Sequence, residues 1–168
     1  MADYCVAYYS KTGTTQDMAD RIAEYLNEHD VSTEVKDLTT LNDPAAYRGM
    51  ILGGPINGMN MAVEYSRHVE RLAGKFPPVL GVFAASITYY HGRKMWVNAI
   101  EKNVSAAAHV LGSSRWGIFG GRSENPMPAF ARWIFGLPKD MPTDTVNWLE
   151  IVNWIQGILA ELREEPAR

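Results

Sequence analysis

A chain of 168 residues, 46% hydrophobic and 21% charged, is long enough for one well-filled core and short for two. A net charge of −3 and a pI near 5.8 leave no broad basic surface to neutralise a nucleic-acid backbone, which disfavours DNA or RNA as a partner. Cys5 is the only cysteine and lies in the apolar run Tyr4 to Tyr9, so an intrachain disulfide and any cysteine cluster for zinc or iron–sulfur are excluded. No basic segment leading into an apolar stretch opens the chain, and no apolar run reaches membrane-spanning length. The expectation is a single domain over residues 1–168, without a transmembrane segment, in the cytoplasm.

Tyr4 to Tyr9, closed by Ser10 and a turn at Gly13, is apolar on both faces, as a strand inside a parallel sheet must be. From Thr15 to about His29, Met18, Ile22 and Leu26 recur every fourth residue beside Ala19 and Ala23, which predicts an amphipathic helix. Ser32 to Leu38 alternates in the manner of a partly exposed strand towards a sheet edge. Met50-Ile51-Leu52 reads as a buried strand ended by the breaker Gly53-Gly54-Pro55, with a helix over Ala62 to Leu72. Val79 to Ala85 and Trp116 to Phe119 are two further strands, flanking a helix from Lys94 to Leu111. The last helix is predicted to start at Asn147, a capping residue with Glu150 at the third helical position.

Five strands alternating with helices imply an α/β fold whose parallel sheet is covered on both faces. Arg122 to Val146 breaks the rhythm. It is too long for an ordinary connection, and it carries Pro126, Pro128, Pro138 and Pro142 around Phe130, Trp133, Ile134 and Phe135. That aromatic stripe has three readings: a cover over the core, which is the plainest, a lid over a ligand, or a docking patch.

Ligands of open α/β sheets bind beyond the carboxyl ends of the strands, where strand order reverses. Ser10-Lys11-Thr12-Gly13-Thr14-Thr15 joins the first strand to a helix amino terminus at that edge. It offers four hydroxyls, free backbone N–H groups, and a glycine that permits close approach. Such a turn stabilises a phosphate through its donors and the helix dipole, and Lys11 either adds charge or faces water. A polar turn with a helix cap is the plain alternative, but four hydroxyl residues in six positions favour phosphate. The chain lacks Gly-x-Gly-x-x-Gly after the first strand and lacks Gly-x-x-x-x-Gly-Lys-Ser/Thr throughout, which points away from dinucleotides and P-loop chemistry. Two further loops reach the same crevice. One holds Pro55, Ile56, Asn57 and Gly58; the other holds Ser86, Ile87, Thr88, Tyr89 and Tyr90. Their backbone amides suit the polar edge of a planar heteroaromatic ring, and one of the two tyrosines is expected to touch its face unless it packs under the next helix.

Tyr8-Tyr9-Ser10-Lys11-Thr12-Gly13-Thr14-Thr15 resembles the phosphate loop of flavodoxins, and the order of the loops at Pro55-Ile56 and Ser86 to Tyr90 is similar as well. The resemblance covers nearly the whole chain. It implies a flavodoxin-like three-layer αβα sandwich with a five-stranded parallel sheet, and non-covalent FMN with its ring between the second and third loops. The partner would be a redox protein or a small-molecule or quinone electron acceptor. The insert followed by Pro142-Thr143-Asp144-Thr145-Val146-Asn147-Trp148 also resembles the menaquinone-dependent protoporphyrinogen dehydrogenase branch, although Val146 stands where that branch carries arginine. That second resemblance implies a flavin-dependent dehydrogenase as the alternative to a carrier.

The four histidines lack metal-ligand spacing, no Gly-x-Ser-x-Gly elbow is present, and no carboxylate pair suggests glycoside chemistry. No catalytic side chain and no metal site are therefore expected. The protein would supply binding and electrostatics around the flavin.

Overall fold

The computed structural model describes residues 1–123 and 127–164. Pro126 of the expected proline-rich insert and Glu165 of the last helix's polar end lie outside them. Strands β1 (Tyr4–Tyr8), β2 (Thr33–Asp37), β3 (Gly49–Asn57), β5 (Val79–Ser86) and β6 (Trp116–Gly120) form a parallel sheet in the order β2-β1-β3-β5-β6. Helices α1 (Thr14–Glu28), α2 (Val63–Arg71), α3 (Lys94–Val110) and α5 (Trp148–Glu164) connect and cover it, and α4 (Ala129–Phe135) lies within the insert. From β1 the chain winds outwards to β2, then returns and winds the other way from β3. The reversal lies between the carboxyl ends of β1 and β3, where a ligand crevice is expected.

Alternation along each strand builds two cores. Cys5, Ala7, Met50, Leu52, Val82 and Ala84 face α2 and α3, where they meet Tyr65, Leu72, Ile100 and Val104. Val6, Tyr8, Ile51, Phe83 and Ala85 face α1 and α5, where they meet Met18, Ile22, Leu26, Ile151 and Ile155. The four-residue spacing of the α1 residues explains the helix: it places one apolar stripe on the sheet and turns Gln16, Asp17 and Asp20 outwards. Asn147 caps α5 as expected. Its Oδ1 accepts the Leu149 N–H at 3.2 Å, and its side-chain amide donates to Glu150 Oε1 at 3.2 Å.

The Gly53-Gly54-Pro55 breaker is a correction. β3 runs straight through it to Asn57 and folds back on a sixth, antiparallel strand, β4 (Asn60–Met61), through a turn at Gly58, where φ is +68°. The glycines are there for packing. A Cβ on Gly53 would lie 2.0 Å from the Phe83 ring, and one on Gly54 would lie 2.6 Å from the Tyr65 ring. The pair brings an aromatic residue close to each face of the strand.

The insert is anchored at both ends. The Thr145 N–H donates to Gly121 C=O at 3.0 Å, the Ser123 N–H to Thr143 C=O at 2.8 Å, and Arg122 bridges Asp144 in antiparallel fashion. Between them α4 is fastened to the start of α3, with the Arg93 N–H donating to Phe135 C=O at 2.9 Å and Trp96 Nε1 to Ile134 C=O at 3.1 Å. The expectation of a core cover fails for most of the aromatic stripe: Phe130 is 70% and Trp133 75% exposed. Phe135 alone of the three aromatic rings turns inwards, meeting Trp96 edge-on at 5.8 Å. No described helix is long and apolar enough to cross a membrane.

Candidate functional site

A cavity of about 300 Å³ opens between the β1–α1 turn and β3, at the reversal point of the sheet. Ser10, Lys11, Thr12, Thr14 and Thr15 line one wall; Pro55, Ile56, Asn57, Ala62, Ala85 and Ile87 line the other, with Gly121 and Arg122 closing the end. Gly13 does not line it but shapes it. At φ +90° it caps α1 without a side chain, and its N–H is taken by Ser10 Oγ at 2.9 Å. The first hydrogen bond of α1 is Asp17 N–H to Gly13 C=O at 2.9 Å. The N–H groups of Thr14, Thr15 and Gln16 therefore precede the helical ladder, and none meets an acceptor among the described residues. Thr12 and Thr14 hydroxyl oxygens lie 3.5 Å apart beside these donors. Unpaired N–H groups, hydroxyls and the positive end of a helix dipole together form a receptor for a compact anion.

The cations beside this receptor are already paired. Lys11 Nζ lies 2.8 Å from Glu64 Oε1 across the mouth of the cavity, and their hydrogen bond raises the lysine pKa and lowers that of the glutamate. Arg122 donates to Asp17 at 2.5 Å and to Asp144 at 2.9 Å, with its guanidinium over the Trp148 ring at 5.8 Å from the centroid. An anion bound here would rely on neutral donors first, with little unpaired positive charge nearby.

Beyond Ile56, Asn57 and Ile87, which line both, a second cavity of about 340 Å³ continues along the strand ends. Gly58 stands on one side and Ser86 and Thr88 on the other, and the insert supplies a further wall of Met127, Ala131 and Phe135. Ser86 Oγ and Thr88 Oγ1 lie 3.3 Å apart. The two cavities form one elongated cleft, with hydroxyls and free N–H groups at the α1 end and Met127, Ala131 and Phe135 opposite Asn57, Ser86 and Thr88 beneath α4.

Nearly all the residues singled out from the sequence meet in this cleft: Ser10, Lys11, Thr12, Thr14, Thr15, Pro55, Ile56, Asn57, Gly58, Ser86, Ile87 and Thr88. Pro55, Ile56 and Asn57 arrive on an extended strand instead of a loop. Tyr89 does not line the cleft. Its hydroxyl donates to Glu101 at 2.8 Å, and burial together with that carboxylate pushes its pKa to about 12. Tyr90 is drawn the other way, to Glu150 on α5. Arg122, Met127 and Ala131 line the cleft without having been singled out for it, and of the aromatic stripe read as a cover, lid or docking patch only Phe135 reaches it. Arg122 follows Gly120-Gly121 at the carboxyl end of a strand, a position that marks the binding edge. Nothing in a seven-residue helix marks which of its aromatic residues turns inwards.

The flavodoxin family model matches residues 6–125, most of the chain, including the Ser10 to Thr15 turn and β3 to β6. The chain belongs to the flavodoxin family. Solved flavodoxins share its fold at low identity. One from Streptococcus pneumoniae is 15% identical with a TM-score of 0.60, covering 94% of this chain and 98% of that one. Flavodoxin 2 from Bacillus cereus is 20% identical with a TM-score of 0.56, covering 98% and 100%. A Fusobacterium nucleatum flavodoxin variant solved with flavin mononucleotide is 13% identical with a TM-score of 0.58, covering 96% and 97%. No curated protein matches the chain.

Proposed function

We propose that this flavodoxin-family chain binds one FMN non-covalently and acts, as a single domain over residues 1–168, as an electron carrier. The observation that carries the reading is the layout of the cleft. Hydroxyls and unpaired N–H groups gather at the start of α1, and a slot of mixed polar and apolar residues continues from them between the β3–β4 hairpin and the β5–α3 turn. The 5′-phosphate is assigned to Ser10, Lys11, Thr12, Gly13, Thr14 and Thr15, with Gly13 setting the turn. The isoalloxazine ring is assigned to the slot between Pro55, Ile56, Asn57 and Gly58 on one side and Ser86, Ile87 and Thr88 on the other. Tyr89 supports the second wall through Glu101. When bound, FMN supplies reversible uptake of one or two electrons, and the chain contributes orientation, exclusion of water and a fixed set of donors.

The electron would pass to a redox protein or to a small-molecule or quinone acceptor. The dehydrogenase alternative receives no support from the comparisons, whose family match is flavodoxin. Val146, at the position where that branch carries arginine, packs against the α1–α5 core.

The test is titration of the purified protein with FMN and, separately, with riboflavin. Micromolar or tighter FMN binding with a flavin absorbance band is expected. Thr12→Val and Thr14→Val should each weaken FMN by about 10- to 100-fold, the range for a lost hydrogen bond to a charged group, and leave riboflavin unchanged. A protein that ignores FMN at micromolar concentration overturns the proposal.

A further inference from the structure

A third, smaller cavity adjoins the ring slot. It is lined by Ile87 and Met127, which also line the slot, and by Ser123, Arg132, Lys139, Met141, Pro142 and Thr143. Its shape comes from the end of α4. Gly136, at φ +68°, ends the helix, with its own N–H donating to Trp133 C=O at 3.2 Å and the Leu137 N–H donating to Arg132 C=O at 2.8 Å. Leu137 is buried, and the reversal it anchors brings Lys139 back alongside Arg132. Arg132 Nη1 donates to Lys139 C=O at 2.7 Å, which fixes the guanidinium against the cavity wall.

Its two cations belong to the larger group that no carboxylate holds among the described residues, with Arg48, Arg71 and Arg93 as other members, but these two face one apolar-walled space. Lys11, Arg21, Lys36, Arg115 and Arg122 each sit against a carboxylate. Arg132 and Lys139 have no carboxylate partner among the described residues, and Asp140 makes no ion pair with either. Among the described residues the other guanidinium donors of Arg132 meet no acceptor, and they lie beside two methionines, a proline and an isoleucine. At about 50 Å³ the space takes a head group and not a whole molecule, since about 10–15 Å³ of such space already holds one water. A planar, singly charged acceptor suits a guanidinium fork with an ammonium beside it, and the apolar walls suit a carbon body.

We propose that this cavity is a second ligand subsite, which takes the carboxylate end of an apolar organic acid whose body runs over Met127 and Ile87 to the edge of the ring slot. The subsite places a small molecule next to the ring position. It rests on the FMN reading only for what that molecule would meet there.

Naphthalene-2-carboxylate and its neutral isostere naphthalene-2-carboxamide test this by calorimetric titration into the full chain, with and without FMN. The acid should bind at submillimolar concentration, and the amide about tenfold more weakly or worse, the scale of one charge-assisted hydrogen bond. Arg132→Gln and Lys139→Gln should each weaken the acid by about tenfold, again the value of one such bond, while leaving the amide and the FMN affinity unchanged. Equal binding of acid and amide, acid affinity unaltered by both substitutions, or no binding of the acid at millimolar concentration would overturn the subsite. Acid binding that depends on Arg132 in a protein that ignores FMN would retain the subsite and remove the flavin reading. FMN binding without acid binding would do the reverse.

Discussion

Tyr65 is 2% exposed, and its hydroxyl meets no hydrogen-bond partner among the described residues, beneath the β3–β4 hairpin and against Gly54. A buried hydroxyl left unpaired costs about 1–3 kcal/mol, and burial raises the pKa of this phenol, so it stays neutral. Tyr65→Phe removes the hydroxyl and keeps the ring. We expect a gain of about 1 kcal/mol in urea unfolding at unchanged slope, and a loss would mean that a water or ligand supplies the missing bond. Residue types alone reveal the hydroxyl-rich end of the cleft, because four hydroxyls and a glycine fall in one short turn. They do not reveal Arg122 as a wall of that cleft, since its position depends on Asp17 and Asp144 from distant parts of the chain. Nor do they tell Tyr89 from a ring-stacking residue, because only the placement of Glu101 decides where its hydroxyl goes.

Among the elements, β3 departs furthest from its expected form. Two glycines and a proline read as punctuation when chain composition is the only guide. Here the strand passes through them because Phe83 and Tyr65 occupy the space that side chains at Gly53 and Gly54 would need. Gly53→Ala should lower stability by about 1–3 kcal/mol, the range for overpacking a filled core. Phe83→Leu in the same chain should recover part of that loss, as residues in contact do not add. Simple additivity of the two substitutions in denaturant titrations would contradict the steric account. The long helices α1, α3 and α5 are legible from their apolar stripes. The seven-residue α4 is too short for a period to separate the inward Phe135 from the exposed Phe130 and Trp133.

At the scale of the whole molecule, a side-chain clasp adds to the backbone bonds that join the insert to the core. Arg122 ties Asp144, at the return of the insert, to Asp17 on α1, and covers Trp148 at the start of α5. The Asp144 carboxyl is held below its usual pKa, first by the Val146 N–H and then by Arg122. A carboxylate whose folded-state pKa is depressed contributes its full stabilisation above the unfolded value, near about 3.9, and loses it as pH falls through the folded one. The clasp should hold at neutral pH and loosen below about pH 4. Acid titration of tryptophan fluorescence should show a component that Asp144→Asn and Trp148→Phe each abolish. An identical acid profile in Asp144→Asn would remove Asp144 from the clasp. The parallel sheet and both covering layers follow from the alternation of strands and helices, whereas the strand order and this tie across three elements follow only from the folded chain.

Cys5, on β1 between β2 and β3, is 1% exposed, and burial, with a smaller push from Glu34, raises its thiol pKa to about 12. Thiolate, the form that attacks oxidants, is then a negligible fraction at neutral pH. As the only sulfhydryl in the chain, it is kept from sulfenic acid and mixed-disulfide chemistry for as long as the sheet is closed. The FMN proposed above would therefore work in a chain whose one thiol is withheld from its reducing equivalents.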